Sequence, residues 1–327
     1  MAEPLRINYL IMAYDNPEVL NRAIDQLSRE PHIIAARFYI HLDKKVNIRS
    51  YQDVVPEREN VVYLAKRKKV NWMGFSMVEE ILELLAESAK CGADYHFLMS
   101  DSDYPIKSNQ AIRETISGNA DDEYISFWNF TDIPAWSHKI EHYYPTNLVS
   151  IREYYRNTRK FNRFFWKHYF RLVNKFPKRK YPFDLIPYGG ATWWMLTQGC
   201  VQYILNFVHS NPRFVKFYRT THSPEEMFFQ TIVLNSDFRT KVHNYHLYEP
   251  FYSKPENNGK HIDTAKYTLG YTDWSGVSLR GVKRGLPAFL DDSDFARLCN
   301  SECIFARKFN MKDSSLLIQM LNEQVLS

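Results

Sequence analysis

The strongest constraint on the fold is a regular alternation of short apolar runs and amphipathic segments in the first hundred residues. Runs with strand character occupy residues 7–13, 37–42, 61–64 and 95–99, and strand character resumes over 123–130. Between them, apolar residues recur at helical spacing after Pro17, with Asn16 placed to cap that helix, and over Met77–Ala89, where the predicted buried face is Val78, Ile81, Leu82 and Leu85. Strands joined by helical crossovers of this length lie parallel in one sheet, with helices on its faces. The chain is therefore predicted to be an α/β protein with a Rossmann-like, mostly parallel sheet.

Acidic and hydroxyl side chains follow the predicted strands where the strands end. The run Tyr95–Met99 leads into Ser100–Asp103, and the first two strands end at Tyr14-Asp15 and at Asp43. The carboxyl ends of parallel strands are the usual ligand site of an open α/β sheet. Asp and Ser also stabilise turns by bonding to their own backbone, so a plain turn is an equal alternative for 100–103.

Composition and missing motifs narrow the function classes. No Gly-x-Gly-x-x-Gly and no P-loop motif follows a predicted strand, which argues against a dinucleotide oxidoreductase and a P-loop NTPase. Aromatic residues make up 16% of the chain, which suits stacking on sugars or bases. The net charge of +5 is modest for a nucleic-acid-binding protein.

The cysteines and the N-terminus bear on the compartment. Four cysteines without zinc-ligand spacing indicate free thiols in a reducing compartment, with Cys299 and Cys303 expected on one helix face. No secretory leader and no apolar run of membrane-spanning length is recognisable. A soluble, cytoplasmic protein is predicted.

A basic aromatic segment, residues 154–183, contains no Asp or Glu. Three interpretations compete for it. It fits an amphipathic helix in peripheral contact with the anionic inner face of a membrane, a patch for an anionic glycan or nucleic acid, or a solvated helix with an aromatic inner side.

Two segments of the second half carry candidate functional residues. Ser223-Pro-Glu-Glu226 fits a capping box at a helix start, which by itself explains these residues. In the alternative, functional interpretation Glu226 faces a cleft, is kept ionised by the helix dipole and acts as a general base. The glycines of Tyr188–Leu196 allow close backbone approach. Trp193 or Trp194 then packs either on a sugar ring or in the core.

Six segments, in order, resemble the core-2/I-branching β-1,6-N-acetylglucosaminyltransferase family (glycosyltransferase family 14), which also includes peptide O-xylosyltransferases. The segments are residues 40–45, 70–76, 94–109, 223–226, 271–274 and 305–309. The resemblance implies a GT-A-type fold, a UDP-sugar donor, inversion at the anomeric carbon and no metal. It also implies one catalytic domain over 1–327, with a nucleotide-binding half (1–110) and an acceptor-binding, catalytic half (111–327).

The resemblance assigns donor-side positions. Ala13, Tyr14 and Asp15 are at the family's contact with UDP, and Trp72 matches an aromatic against the uracil. The acid near the nucleoside is matched by Asp43, with Lys44 and Lys45 beside it.

Further positions concern the sugar, the diphosphate and the acceptor. Asp103 matches an acid that orients the donor sugar or its loop, whereas Asp101 departs from the small residue that the family has there. Lys308 and Arg284, with Arg280 as the alternative, match cations on the diphosphate. Glu226 matches the catalytic base, Trp274 an acceptor contact, and Trp193 is a second acceptor candidate.

These assignments predict a metal-independent, inverting transferase that moves GlcNAc or xylose from a UDP-sugar to a hydroxyl of a glycan or glycolipid. Nucleic acid is not expected as a partner. Two alternatives stay open: a metal-dependent GT-A transferase that uses Asp101 and Asp103, and a non-catalytic carbohydrate-binding protein.

Overall fold

The computed structural model describes residues 3–152, 154 and 160–326. Ten strands occur in this part: β1 (Leu5–Ala13), β2 (Ile34–Leu42), β3 (Val61–Tyr63), β4 (Tyr95–Ser100), β5 (Asp103–Pro105), β6 (Trp128–Asn129), β7 (Tyr188–Gly189), β8 (Met195–Thr197), β9 (Gly270–Thr272) and β10 (Phe305–Arg307).

The α-helices of the described residues are α1 (Pro17–Leu27), α2 (Ile48–Gln52), α3 (Phe75–Ser88), α4 (Asn109–Ser117), α5 (His138–Glu141), α6 (Lys160–Leu172), α7 (Gln198–Ser210), α8 (Pro212–Tyr218), α9 (Phe228–Leu234), α10 (Tyr248–Tyr252), α11 (Ala265–Thr268), α12 (Phe295–Cys299) and α13 (Met311–Gln324). Short 3₁₀ segments lie at Pro134–Trp136, Val173–Lys175, Pro224–Glu226, Asp237–Lys241, Tyr245–Leu247, Pro255–Asn257 and Asp292–Asp294.

The central sheet has the strand order β3-β2-β1-β4-β8. The first four strands are parallel, and β8 pairs antiparallel with β4. Ala13 at the end of β1 faces Leu42 of β2, and Met12 faces Ser100 of β4. The carboxyl ends of these three strands therefore lie side by side. The predicted α/β architecture with a mostly parallel sheet is confirmed.

Burial on both faces of the sheet explains why the strands read as continuous apolar runs. On one face, Leu10 and Leu98 belong to a core with α3, whose Ile81 and Leu85 are fully buried. On the other face, Ile7, Tyr9 and Ile11 pack in a core that contains the apolar side of α1. The helix predicted from Met77 begins two residues earlier, and Leu82, expected to be buried, is only partly so.

A second sheet, β5-β10-β9, lies beyond the end of β4. β10 pairs antiparallel with β5 and parallel with β9, so Asp103, Arg307 and Thr272 occupy one row across the three strands. The continuous strand expected over 123–130 is reduced to β6, which pairs with β7.

The core does not divide at residue 110. Leu317, Ile318 and Leu321 of α13 share a buried cluster with Val19 and Ala23 of α1. Residues from both predicted halves therefore enclose the same apolar interior.

All four cysteines are free, as predicted. The shared helix face expected for Cys299 and Cys303 is wrong, because α12 ends at Cys299 and Cys303 follows it in a loop. No helix in the described ranges is both long and apolar enough to cross a membrane.

Candidate functional site

The turn after β1 is anchored by Asp101. Its Oδ2 oxygen accepts the backbone N–H groups of residues 14–16 at 2.6, 2.9 and 3.1 Å and the hydroxyl of Tyr51 at 3.1 Å. Burial raises the pKa of Asp101 to about 6, against the opposing effect of these donors. Asp101 thus fixes the start of α1 from a neighbouring strand, which gives this departure from the family pattern a structural role.

Asn16 precedes α1 as predicted, but its side chain does not cap the helix. It donates instead to Asp15 Oδ1 and Ser102 Oγ at 3.0 and 2.8 Å. The capping expectation is wrong because these two bonds turn the Asn16 amide away from the helix, while Asp101 holds the turn that precedes it.

Tyr14 and the end of β2 form one polar surface. Lys45 Nζ bonds Asp43 Oδ2 at 3.1 Å and the Val70 carbonyl at 2.6 Å. The same ammonium lies 5.4 Å from the Tyr14 ring, and the Arg152 guanidinium lies 4.7 Å from it. Lys44 is exposed beside Asp43, and Ala13 is buried at the end of β1. This surface, defined by Tyr14, Asp43, Lys45 and Arg152, is called the donor edge below.

Trp72 belongs to the loop that Lys45 holds through Val70, and 40% of Trp72 is exposed. The loop also reaches the second half, because the Ser223 N–H donates to the Met73 carbonyl at 3.2 Å. An exposed indole is therefore placed between the donor edge and the segment that carries Glu226.

Asp103 is tied to both sheets. Its Oδ2 accepts the Ser100 N–H and hydroxyl at 2.6 and 2.5 Å, and its Oδ1 lies 3.4 Å from Arg307 Nε. The Arg307 guanidinium lies 3.9 Å from the centre of the Trp193 ring. These three side chains line a small cavity of about 30 Å³. Trp194, in contrast, is fully buried against Phe229 and is a core residue.

Arg307 was missed from sequence, although it stands beside the predicted Lys308. Lys308 follows β10, and its ammonium lies 5.8 Å from the Phe289 ring. Trp274, which is 64% exposed, lies two residues after Thr272, where the row Asp103–Arg307–Thr272 and strand β9 end. The signal was present in Phe305-Ala-Arg-Lys-Phe309, where two adjacent cations interrupt an apolar stretch.

Arg284 does not lie free for a diphosphate. Its guanidinium contacts three carboxylates, those of Asp273, Asp291 and Asp294, at 3.5, 2.5 and 2.7 Å. The side chain is 7% exposed. Arg280, the alternative, is exposed and pairs with Asp292. This geometry favours a structural role for Arg284, because its charge is already balanced inside the protein, and the predicted diphosphate role stays a prediction.

Glu226 and Lys139 form the second part of the site. Lys139 Nζ donates to Glu226 Oε2 at 2.6 Å and lies 3.4 Å from the Trp136 ring centre. The Glu226 side chain is 30% exposed, whereas Glu225 is buried at 3%. The structure therefore turns Glu226, and not its neighbour, toward solvent.

The predicted capping box is wrong. Ser223 has a φ of 49°, Pro224–Glu226 is a single 3₁₀ turn, and the Ser223 side chain makes no cap. Ser223 Oγ instead bonds His222 Nδ1 at 3.0 Å. Because a single turn has no appreciable helix dipole, the positive charge beside Glu226 comes from Lys139. No motif in the sequence marks Lys139.

The glycine turn joins Glu226 to the central sheet. The Gly190 N–H donates to the Glu226 carbonyl at 2.8 Å. A Cβ on Gly190 would lie 2.0 Å from the Ser126 carbonyl oxygen, so the close approach requires glycine. Three residues later Trp193 meets Arg307, which connects the base candidate to the row that begins at Asp103.

His222 offers a test of this packing through pH. Burial, with Lys139 and His138 nearby, lowers the pKa of His222 to about 3. Because the folded state favours the neutral ring, His222 contributes stability above its unfolded pKa of about 6.5, and this is lost as the pH falls toward 3. We expect His222→Asn, which keeps an amide near Ser223, to remove much of this loss, worth up to about 3 kcal/mol at pH 4. Urea unfolding between pH 7 and pH 4 measures it.

The exposed His32 provides the matched control for that series. His32→Asn is expected to follow the wild-type pH profile. A His222→Asn profile as steep as the wild-type one would show that His222 does not drive the acid destabilisation.

No three His, Cys, Asp or Glu side chains among residues 3–152, 154 and 160–326 are grouped so that they could hold a metal ion. Of the basic segment 154–183, residues 155–159 lie outside the described residues. The described part forms α6, with Trp166 buried and Phe161 and Phe164 exposed.

Comparison with known proteins places this geometry in context. The family model described as "Core-2/I-Branching enzyme" matches residues 7–295. Xylosyltransferase 2 of Mus musculus is 24% identical over 334 residues, covering 98% of this chain and 33% of the relative. Xylosyltransferase 2 of Homo sapiens is 24% identical over 335 residues, with the same two shares of 98% and 33%. A xylosyltransferase of Ciona intestinalis is 25% identical over 322 residues, covering 94% and 32%. The chain thus spans about one third of the length of these relatives.

Proposed function

The chain belongs to the Core-2/I-branching enzyme family of glycosyltransferases, and we propose that it transfers a sugar from a UDP-sugar to a hydroxyl of a glycan or glycolipid, with inversion and without a metal. The predicted family and a GT-A-like fold are confirmed. GlcNAc and xylose are the proposed sugars, and xylose agrees with the names of the similar proteins.

One observation carries the proposal: a partly exposed carboxylate, Glu226, is held by Lys139 at 2.6 Å. Loop 70–74 connects this carboxylate to the donor edge through the Met73–Ser223 and Lys45–Val70 bonds. A base fixed beside a nucleotide-binding strand edge is what in-line transfer to a hydroxyl requires.

In the proposed step, one bond forms and one bond breaks at the anomeric carbon of the donor sugar. The acceptor hydroxyl gives its proton to Glu226, and its oxygen attacks the anomeric carbon from the face opposite UDP. The bond between that carbon and the phosphate oxygen breaks, and UDP leaves with the electron pair. Lys308 and Arg307 stabilise the charge that develops on the diphosphate. We assign Arg307 this role beside Lys308 because the charge of Arg284 is already balanced by three aspartates.

The donor edge supplies the proposed nucleotide contacts. Trp72 offers a flat, exposed face for the uracil, and the exposed Asp15 offers a carboxylate for ribose hydroxyls, with the buried Asp43 held by Lys45 on the nucleoside side. Tyr14 and Lys45 border the same surface.

The carboxylate geometry supports the metal-free alternative over the metal-dependent one. Asp101 Oδ2 is occupied by three backbone N–H groups and Tyr51, and Asp103 Oδ2 is occupied by Ser100. A metal would displace these bonds or use the remaining oxygens, of which Asp103 Oδ1 already lies 3.4 Å from Arg307 Nε. Adjacent cations at 307 and 308 would supply the positive charge that a metal otherwise provides.

Calorimetry with UDP in the presence of EDTA tests the donor site. We expect wild-type protein to bind UDP and Trp72→Ala to bind it about 10- to 100-fold more weakly, because stacking of a base on an aromatic ring contributes about 1–3 kcal/mol. Trp274→Ala, the same change at another exposed tryptophan, is expected to bind UDP like the wild type. Binding that requires Mn²⁺ would favour the metal-dependent transferase, and no UDP binding under either condition would favour a non-catalytic carbohydrate-binding protein.

A hydrolysis screen with UDP-GlcNAc, UDP-xylose and UDP-glucose then identifies the donor. Preference for either of the first two is the expected result. A cytoplasmic location with peripheral membrane contact through residues 154–183 stays part of the proposal, and nucleic acid is not proposed as a partner.

A further inference from the structure

A second cavity, of about 590 Å³, shares no lining residue with the donor edge. It is bounded by residues 142–148, by the segment from Tyr169 to Pro177, and by Arg219 and Thr220. Most side chains in this wall are apolar or aromatic, among them Leu148, Val173 and Phe176. A volume in this range suits a small-molecule ligand or the apolar part of a larger one.

Large apolar side chains at this cavity face solvent. Leu148 is 87% exposed, Tyr143 61% and Phe176 53%. Three such side chains around one opening form an apolar patch that marks a binding site more often than a plain surface.

The surroundings of the cavity are positively charged. Residues 160–180 carry eight Lys or Arg and no Asp or Glu: Lys160, Arg163, Lys167, Arg171, Lys175, Lys178, Arg179 and Lys180. Two acids reduce this charge locally, since Glu141 pairs with Lys178 and Glu79 pairs with Arg219 of the cavity wall. The remaining excess of positive charge favours an anionic ligand.

Two short segments connect the cavity to Glu226. Thr220 lines the cavity and precedes Glu226 by six residues, a distance of at most about 20 Å along an extended chain. Lys139, the partner of Glu226, precedes the lining residues 142–144. Between them, the Tyr144 ring packs against the His222 ring with centroids 5.1 Å apart. This ring contact links a side chain of the cavity wall to the segment that leads to Glu226.

We infer that this cavity takes the hydrocarbon chain of an anionic glycolipid acceptor, whose sugar hydroxyl then reaches Glu226. The inference rests on the proposed function and specifies its acceptor class. The apolar wall holds the chain, the basic residues of α6 and the segment after it attract the anionic group, and the 219–226 and 139–144 segments fix the distance to Glu226.

Binding of cis-parinarate, a fluorescent long-chain carboxylate, tests the cavity. Wild-type protein is expected to bind it saturably below its micelle concentration. Leu148→Asp and Phe176→Asp place a carboxylate at the apolar opening and are expected to weaken binding at least about tenfold. Leu316→Asp, the same change at an exposed leucine of α13, is the control and is expected to bind like the wild type. Absence of saturable binding, or equal binding by all four proteins, would overturn the inference.

Competition against bound cis-parinarate tests the ligand class. Dodecyl phosphate is expected to displace the probe more strongly than dodecyl maltoside, and inorganic phosphate not to displace it. Added salt should reduce the difference between the two detergents. Displacement by inorganic phosphate alone would overturn the assignment of a hydrocarbon chain.

Binding to phosphatidylglycerol vesicles distinguishes a membrane-binding role of the α6 surface from ligand binding in the cavity. Phe161→Asp changes an exposed ring of α6 that does not line the cavity. If Phe161→Asp abolishes vesicle binding while Leu148→Asp retains both vesicle and cis-parinarate binding, the surface serves a membrane and the cavity assignment is wrong.

Acceptor use separates this inference from the proposed function. With the donor found by the hydrolysis screen, octyl glycosides are expected to have at least about tenfold lower KM than the matching methyl glycosides, and Leu148→Asp to lose this preference. Retained UDP binding without an octyl preference would overturn only the acceptor assignment. Absence of UDP binding would overturn the proposed function and the acceptor assignment with it.

Discussion

Glu226→Gln is expected to lower kcat about a thousandfold and to leave UDP affinity nearly unchanged. A general base contributes roughly 10²- to 10⁴-fold, and the amide keeps the size of the carboxylate but cannot accept the proton of the acceptor hydroxyl. Because UDP is proposed to bind at the donor edge, loss of the base is expected to lower kcat without changing UDP affinity. Steady-state UDP release and calorimetry on the same preparation measure the two effects.

Glu141→Gln is the matched control for this experiment. Glu141 ends α5, the helix that also carries Lys139, and it pairs with the exposed Lys178. Its replacement is expected to leave kcat within about twofold of the wild-type value, because a surface ion pair contributes at most about 1 kcal/mol. Near-wild-type turnover of Glu226→Gln would remove Glu226 as the base.

The second large effect concerns Arg284→Met, which is expected to destabilise the fold by about 3–5 kcal/mol. The change leaves Asp273 and Asp294, both buried, without the guanidinium that balances them. Asp273 immediately precedes Trp274, so the loop that presents this tryptophan should loosen as well. Urea unfolding at neutral pH measures the loss of stability.

Arg280→Met provides the comparison, since Arg280 is exposed and pairs only with Asp292 among the ion pairs of the described residues. Its expected cost is at most about 1 kcal/mol. UDP affinity of Arg284→Met, measured at low temperature where the variant is folded, is expected to match the wild type. Wild-type stability combined with a loss of UDP affinity would instead restore Arg284 as a diphosphate ligand.

The fold could be predicted where local pattern and burial agree. The strands of the first hundred residues were recognisable because they are buried on both faces, so their apolar runs are uninterrupted. Short strands such as β5 and β9 could not be recognised, since three residues carry no periodicity and their pairing depends on distant partners.

Turn chemistry shows a second limit of the sequence. Asn16 and Ser223 both stand where a capping residue is expected, and neither side chain caps a helix. At Asn16 the side-chain amide bonds Asp15 and Ser102, and the turn before the helix is held by Asp101, which is more than eighty residues away in sequence. A long-range acceptor of this kind has no local signature.

The sequence indicates several residues of the candidate site, but not the side chains that they contact. Glu226 was singled out from its position after Ser-Pro-Glu, but its ion pair with Lys139 and the contact of Lys139 with Trp136 join separate segments. Arg307 meets Trp193 across the two sheets in the same way. Such contacts result from the packing of the second half around the turn at Gly189-Gly190. They cannot be predicted from residue spacing along the chain.

The anomeric configuration of the first-formed product shows whether the sugar is transferred with inversion in a single displacement. The reaction is run in EDTA with the donor found by the hydrolysis screen and followed by proton NMR before any mutarotation. A single displacement assisted by Glu226 predicts that an α-linked UDP-sugar gives a β-configured product. An α-configured product would contradict inversion, and a reaction that starts only after a divalent metal is added would contradict the metal-free mechanism.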